Sequence, residues 1–410
     1  MLQSFSKTTV EVFVMSKRVT KFLAFVMSVV MLIAVFSVAS FAATSEEVDT
    51  HLQFNANGEF KILQIADMQD GWPMKGATKK LIRGSIEREN PDLIVLTGDN
   101  INKSAGVSTV KAPLAINEFM SILEEYGIPV VATFGNHDTE GDITRAQQIA
   151  MYEKYDCFIG CTGVDFGNST SGTYYVPLYS SDDANKMVFN LWVIDSGDYN
   201  RENDLGGYAA VTKEQINWYV ETEKALAKAN GGNVVPSIVF QHIALPEVYN
   251  VLKVVPEGTE GAVTNEFTNI SYVLPDGAKG VLDERPGSPR YNNGEFDAFV
   301  DNGNVLGVFY GHDHVNIYEL EYKDIMLCNT PGAGFSSYNG MNNGVRTITL
   351  HEGDLSKFDT EVLIYVDMFK DDAQAMALFE LYSDTTSTGE KILAFFKYAF
   401  SLIASFVPVK

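Results

Sequence analysis

Thr97-Gly98-Asp99-Asn100 follows the apolar run Leu93–Leu96, and the reading of that junction decides the fold. An unbroken apolar run of that length reads as a parallel strand buried on both faces. Two other stretches repeat the form: Lys61–Ala66 runs into Asp67-Met68-Gln69, and Val130–Phe134 runs into Gly135-Asn136-His137-Asp138. Further on, Ser237–Gln241 leads to His242, and Val305–Tyr310 leads to Gly311-His312-Asp313-His314. In an open α/β sheet, ligands bind beyond the carboxyl ends of the strands. Five strand ends carrying Asp, Asn, Gln and His therefore converge on one crevice, and their donor atoms are those of a metal site.

Helical spacing joins these strands. Thr78–Glu89 sets Leu81, Ile82 and Ile86 on one side before Pro91, and Ala112–Tyr126 repeats the pattern before Pro129. Strand, helix, strand in that order makes a βαβ unit, so the sheet is expected to be parallel at its centre. Asn57-Gly58 reads as the turn of a hairpin between Leu52–Asn55 and Phe60–Ile65. Beyond Cys161, Gly172–Leu178 and Lys186–Ile194 are expected to be antiparallel strands of a second sheet, followed by a helix over Thr212–Ala229 with Trp218 and Tyr219 inward. Residues 251–304, rich in Gly, Pro, Asn and Asp, read as a long functional loop or lid. No boundary divides residues 43–370, expected to form one domain, and 371–410 read as an apolar helical tail.

The composition supplies a large globular core: 410 residues, 46% hydrophobic and 20% charged. A formal net charge of −23 argues against nonspecific attraction to nucleic acid or to an anionic membrane. Bound cations are then the simplest means of drawing in an anionic substrate. Lys17, Arg18 and Lys21, the apolar run Phe22–Val38 and the small residues of Ser40-Phe41-Ala42 follow the order of a secretory signal peptide over residues 1–42, with Met15 as an alternative start. Export after processing is the expectation, and a retained single span is the alternative. Cys157 and Cys161 read either as a disulfide or as free thiols, and Cys328 as core. In the tail, residues 392–407 are almost wholly apolar apart from Lys397 and read as a helix packed on the domain, a helix lying on a membrane surface or a partner-binding segment.

Two metal ions held close together need a bridging carboxylate, terminal ligands and open positions for water and substrate. Asp99 suits the bridge, Asp67 a terminal carboxylate, Asn136 an amide oxygen, and His242, His312 and His314 imidazole nitrogens. On an extended segment alternate residues share a face, which would aim His312 and His314 together and turn Asp313 away. Of six histidines, four follow apolar runs; His51 and His351 do not, and take no role.

The ordered set Asp67-Met68-Gln69, Gly98-Asp99, Gly135-Asn136-His137-Asp138, His242 and Gly311-His312-Asp313-His314 resembles the calcineurin-like metallophosphoesterases, over about Phe54 to Leu350. His242-Ile243-Ala244-Leu245-Pro246-Glu247, Asp195-Ser196-Gly197-Asp198-Tyr199 and Gly98-Asp99-Asn100-Ile101 are similar to the branch holding the yeast phosphatase Dcr2 and the purple-acid-phosphatase-like proteins. The resemblance implies an α/β fold of four layers, two mixed sheets packed face to face and flanked by helices. It implies two divalent or trivalent ions (manganese, iron, zinc or magnesium) on Asp67, Gln69, Asp99, Asn136, His242, His312 and His314. It also implies the chemistry: a metal-activated hydroxide attacks phosphorus in line, and His137 protonates the leaving oxygen; Asp138 beside it is a candidate helper. Phosphomonoesters are the implied substrates. A phosphodiesterase or nucleotidase is the alternative, and a noncatalytic binding module the third reading.

Two positions depart from the family pattern. Gln69 stands where many members have His; the ligand there becomes a neutral amide oxygen or is replaced by water, which favours manganese or magnesium over zinc or iron. Asn102 stands where purple acid phosphatases carry a metal-binding Tyr, so no tyrosinate–iron colour is expected, and the orientation of His137 is left open. Tyr199, Arg201, Arg285, Arg290, Phe335 and Tyr338 are candidate rim residues, and Gly332-Ala333-Gly334 is a place for backbone to approach the site.

Overall fold

Six strands form the first sheet of the computed structural model, which describes residues 51–160 and 172–405. Their spatial order is Phe358–Ile364, Gly344–His351, Glu59–Ile65, Leu93–Thr97, Val130–Thr133 and Phe158–Gly160. Glu59–Ile65, Leu93–Thr97 and Val130–Thr133 run parallel, while Gly344–His351 pairs antiparallel to Glu59–Ile65. The helices Gly76–Glu89 and Ala112–Tyr126 are the crossovers that parallel pairing requires. Each buries one face, Leu81, Ile82 and Ile86 on the first and Ile116, Phe119 and Leu123 on the second. Leu93–Thr97 is buried along its whole length, as a strand covered on both faces must be.

The second sheet has seven strands in the order Lys279–Val281, Ile317–Tyr322, Ile325–Asn329, Val305–Tyr310, Ser237–Phe240, Met187–Val193 and Tyr174–Tyr179. Its two faces separate by residue parity. Leu191, Val193, Ile238, Phe240 and Phe309 join the core shared with the first sheet. Trp192, Val239, Val308 and Tyr310 join a second core, closed by Tyr219 of the helix Lys213–Ala229 and by Phe296 and Phe299 of the helix Glu295–Asn302. The result is the expected order of helix, sheet, sheet, helix.

Two local expectations resolve differently, while the tail forms the helix expected of it. The Asn55–Glu59 turn forms, yet the arm before it does not complete a hairpin: Phe54 N–H donates to the Tyr179 carbonyl and Gln53 bridges to Tyr179, at the edge of the second sheet. That edge offers free backbone acceptors, and long-range pairing of this kind leaves no mark in local turn chemistry. Residues 251–304 are not one long loop. They carry a three-stranded antiparallel sheet, ordered Lys253–Val255, Ile270–Val273, Val263–Asn265, and the helix Glu295–Asn302. In the tail, the helix Ala373–Tyr382 seats Phe379 against Phe335 and Tyr365, and the helix Thr388–Ser405 buries Ala394 and pairs Lys397 with Glu380. Among the described residues no helix is long and apolar enough to cross a membrane. The signal-peptide segment and Cys161 lie outside the described residues; Cys157 and Cys328 are buried free thiols.

Candidate metal centre

Each candidate ligand sits just past the carboxyl end of a parallel strand. Asp67 and Gln69 follow Glu59–Ile65, Asp99 follows Leu93–Thr97, Asn136 follows Val130–Thr133, His242 follows Ser237–Phe240, and His312 and His314 follow Val305–Tyr310. All seven are buried. Four hold left-handed backbone: Asp67 at φ 51°, Gln69 at 43°, Asp99 at 50° and His312 at 71°. Such conformations cost about 1–3 kcal/mol each and persist only where the surroundings enforce them. His312 and His314 thus face one cleft because the chain kinks at His312, and not through the alternation of an extended strand. Gly135 allows the close approach: a Cβ there would collide with Asp99 Oδ1 and His242 Nε2. Gly332-Ala333-Gly334 works from behind, where the N–H groups of Ala333 and Gly334 donate to the carbonyls of Ala66 and Asp67.

Hydrogen bonds to the far side of each ring aim the imidazoles. His242 Nδ1 lies 3.0 Å from the Thr97 carbonyl and His314 Nδ1 lies 2.9 Å from the Tyr338 carbonyl, so both Nδ1 atoms donate and both Nε2 atoms turn inward. His242 Nε2 is 3.2 Å from Asp99 Oδ2 and from His312 Nδ1. Asp99, His242 and His312 offer ligand atoms all within 4.8 Å of one another. The Asn136 carboxamide donates through Nδ2 to the Tyr199 hydroxyl at 3.2 Å, and its buried Oδ1 is left without a hydrogen-bond partner. A carboxylate, two imidazoles and an unsatisfied amide oxygen fit a divalent first-row ion or magnesium.

The electrostatics agree with a cation site. Burial opposes charge on His242, yet Asp99 and Asp67 outweigh it and lift the imidazole to about 10. Burial likewise opposes charge on His314, and Asp67 lifts that ring to about 9. His312, pressed by burial and by the His242 charge, falls to about 3. Against the penalty of burial, His242 holds the Asp99 carboxyl well below the usual carboxylate range. A metal ion competes with the protons on these rings, so its affinity rises with pH.

His137 stands at the mouth of the cleft, with Nε2 4.0 Å from Asp99 Oδ2 and Nδ1 2.9 Å from Glu140 Oε2. Glu140 also accepts from the Tyr199 hydroxyl at 2.9 Å. Asp138, expected beside His137 as a helper, has a different place. Fully buried, it accepts N–H bonds from Asp99, Asn100, Ile101 and Gly135 at 2.8–3.2 Å and so ties the two ligand-bearing loops together. The cleft encloses about 440 Å³, and Tyr199, Tyr208, Glu284, Arg285 and Tyr338 line its rim. Of the other expected rim residues, Arg201 points to solvent beside Asp198, Arg290 stacks on Phe267, and Phe335 is core beneath the tail. Glu140, Tyr208 and Glu284 were not singled out from the sequence. Only Glu140 carried a signal, its spacing of three residues from His137.

The calcineurin-like phosphoesterase family matches residues 60–316, a span that includes every candidate ligand, and the chain belongs to that family. Among its relatives is the probable inactive purple acid phosphatase 14 of Arabidopsis thaliana, 31% identical over 75% of this chain and 78% of the relative. Phosphatase DCR2 of Saccharomyces cerevisiae is 28% identical over 74% of this chain and 54% of its own length. A solved dimetal phosphatase from Danio rerio aligns over 72% of this chain and 93% of its own, at 13% identity and a TM-score of 0.46.

Proposed function

We propose that this chain is an exported, metal-dependent phosphomonoesterase. The observation that carries the reading is the convergence of Asp67, Asp99, Asn136, His242, His312 and His314 on one buried point, with a half-exposed His137 beside it. The residues suited to an ion are Asp99, Asn136, His242 and His312; the positions that the family uses for a second ion are held here by Asp67, Gln69, Asp99 and His314. A bound ion supplies Lewis acidity towards a phosphoryl oxygen. The remaining steps belong to the side chains. Arg285, among the described residues the one Arg or Lys lining the cleft, attracts the phosphate. His137 Nε2 faces the cleft and delivers a proton to the departing ester oxygen, with the Glu140 carboxylate 2.9 Å behind Nδ1.

Export rests on the residue order of 1–42. The helix Thr388–Ser405 exposes Ile392, Leu393, Phe395, Phe396 and Phe400, which supports contact with a membrane surface. A noncatalytic binding role is the second reading. Gln69 and the word "inactive" in the plant relative's name favour it, while the yeast relative's name favours catalysis. Hydrolysis of p-nitrophenyl phosphate and of its bis ester by manganese-loaded protein, beside His137→Ala and Asp99→Asn, decides among these. Monoester turnover lost in both variants supports the proposal. A diester preference moves the substrate class, and ion binding without turnover of either ester favours the binding role.

A further inference from the structure

The two carboxamides of the site point in opposite senses, and neighbouring hydrogen-bond partners fix both. Tyr199 donates its hydroxyl proton to Glu140 and can only accept from Asn136, so Asn136 turns Nδ2 outward and Oδ1 inward. Gln69 is fixed from the other direction. The backbone N–H of Ser104 donates to Asn102 Oδ1 at 2.7 Å, and the Ser104 hydroxyl lies 2.8 Å from the same oxygen. A backbone N–H has no acceptor role, so Asn102 presents Nδ2 to Gln69, at 2.7 Å from Oε1. The Gln69 oxygen is thereby turned away from the site. Its Nε2 lies 3.0 Å from Asp99 Oδ2 and 2.9 Å from His314 Nε2. Since His314 Nδ1 donates to the Tyr338 carbonyl, Nε2 is the ring nitrogen that faces the Gln69 amide and the one a metal would have to use. The nitrogen of one carboxamide thus sits against both atoms, Asp99 Oδ2 and His314 Nε2, that a metal between them would use. Gln69 and Asn102, the two departures from the family pattern, are in hydrogen-bonding contact and act as one unit.

We propose that the chain holds a single ion, on Asp99, Asn136, His242 and His312, and that the Gln69 carboxamide nitrogen, locked by Asn102 and Ser104, takes the place of the second. Flipping Gln69 to offer its oxygen would oppose two NH₂ groups across the Asn102 contact and set Oε1 against Asp99 Oδ2. Asp67 keeps one oxygen, Oδ1, without a hydrogen bond, 3.3 Å from His314 Nε2; the other accepts from the His312 N–H. Asp67 Oδ1 is thus left as the one unbonded carboxylate oxygen of this half of the site, since Asp99 Oδ2 is taken by the Gln69 amide.

The inference rests on the metal reading of this site and not on the hydrolytic one. Equilibrium dialysis of the full chain against manganese tests it, with metal counted per chain and the bound ion read by electron paramagnetic resonance. The expected result is one ion per chain with the hyperfine pattern of an isolated centre, lost in His242→Ala and kept in His314→Ala. Gln69→His is expected to raise the content to two and to give the pattern of an exchange-coupled pair. Two coupled ions in the unaltered chain overturn the proposal, as does loss of the single ion in His314→Ala. A folded Gln69→His chain that stays at one ion overturns the part given to Gln69. No ion in the unaltered chain overturns this inference and the metal reading together. One ion without hydrolysis leaves the inference standing and counts against the hydrolytic reading alone.

Discussion

Replacing Arg145 by Met removes half of an enclosed ion pair that joins the two loops around His137. Arg145 opens the helix Arg145–Tyr152, just past His137, and Asp195 precedes the loop that carries Tyr199. Nε lies 2.6 Å from Asp195 Oδ2 and Nη2 lies 3.2 Å from Oδ1, with both residues at most 2% exposed. Burial already pushes the Asp195 carboxyl up, and Arg145 is the main force holding it down. Without the guanidinium, a buried carboxylate keeps only backbone donors such as the Gly197 N–H. Removing one partner of such a pair costs about 3–5 kcal/mol, whereas replacing both by apolar groups of similar volume is close to neutral. Arg145→Met is therefore expected to lose that much, and Arg145→Met with Asp195→Leu to recover most of it. Urea unfolding of both single variants and the double variant, taken as a cycle, reads the coupling directly. A loss below about 1 kcal/mol in Arg145→Met, or a double variant as unstable as the sum of the singles, would refute the reasoning.

Three further outcomes follow from the same geometry. Glu140→Gln removes the negative charge 2.9 Å from His137 Nδ1; kcat is expected to fall about tenfold with KM little changed, a fraction of the ~10²–10⁴ that a positioned acid supplies, and an unchanged kcat contradicts the role. Arg285→Met takes from the cleft lining its one Arg or Lys among the described residues, so KM for a phosphomonoester should rise roughly tenfold while kcat holds. Glu295, buried beside Glu247, is pushed up from 4.5 to about 8. The folded chain then keeps a proton that the unfolded chain has released, and stability falls as pH rises through that interval, by at most about 1.4 kcal/mol per pH unit between about 5.5 and 7.5. Glu295→Gln should flatten the slope of urea midpoint against pH, and identical slopes in the two proteins count against the assignment.

The parts of this site that the sequence shows are those built into single strands. A parallel strand buried on both faces is a run of apolar residues, and its ligand comes directly after the run, so Asp67, Asp99, Asn136, His242 and the His312/His314 pair are all found by local reading. Contacts between distant loops carry no such mark. Asp138 looks like a partner for its neighbour His137, but its carboxyl is taken by backbone N–H groups of the Gly98–Ile101 turn as well as its own. Glu140 resembles any surface acid until the turn after His137 folds it back. The sense of the Gln69 carboxamide depends on Asn102 and Ser104, more than thirty residues away. Tyr208 and Glu284 reach the rim on loops whose course is set by the small sheet within residues 251–304 and by pairing of the long second sheet.

The most direct test of the central claim is p-nitrophenyl phosphate hydrolysis by protein stripped of metal and then reloaded with manganese, magnesium, zinc or iron, with bound metal counted in the same samples. The account predicts turnover that vanishes on stripping, returns in proportion to the bound ion, and is lost in His137→Ala at unchanged metal content. Turnover indifferent to stripping, or a His137→Ala chain as active as the unaltered one, would contradict it.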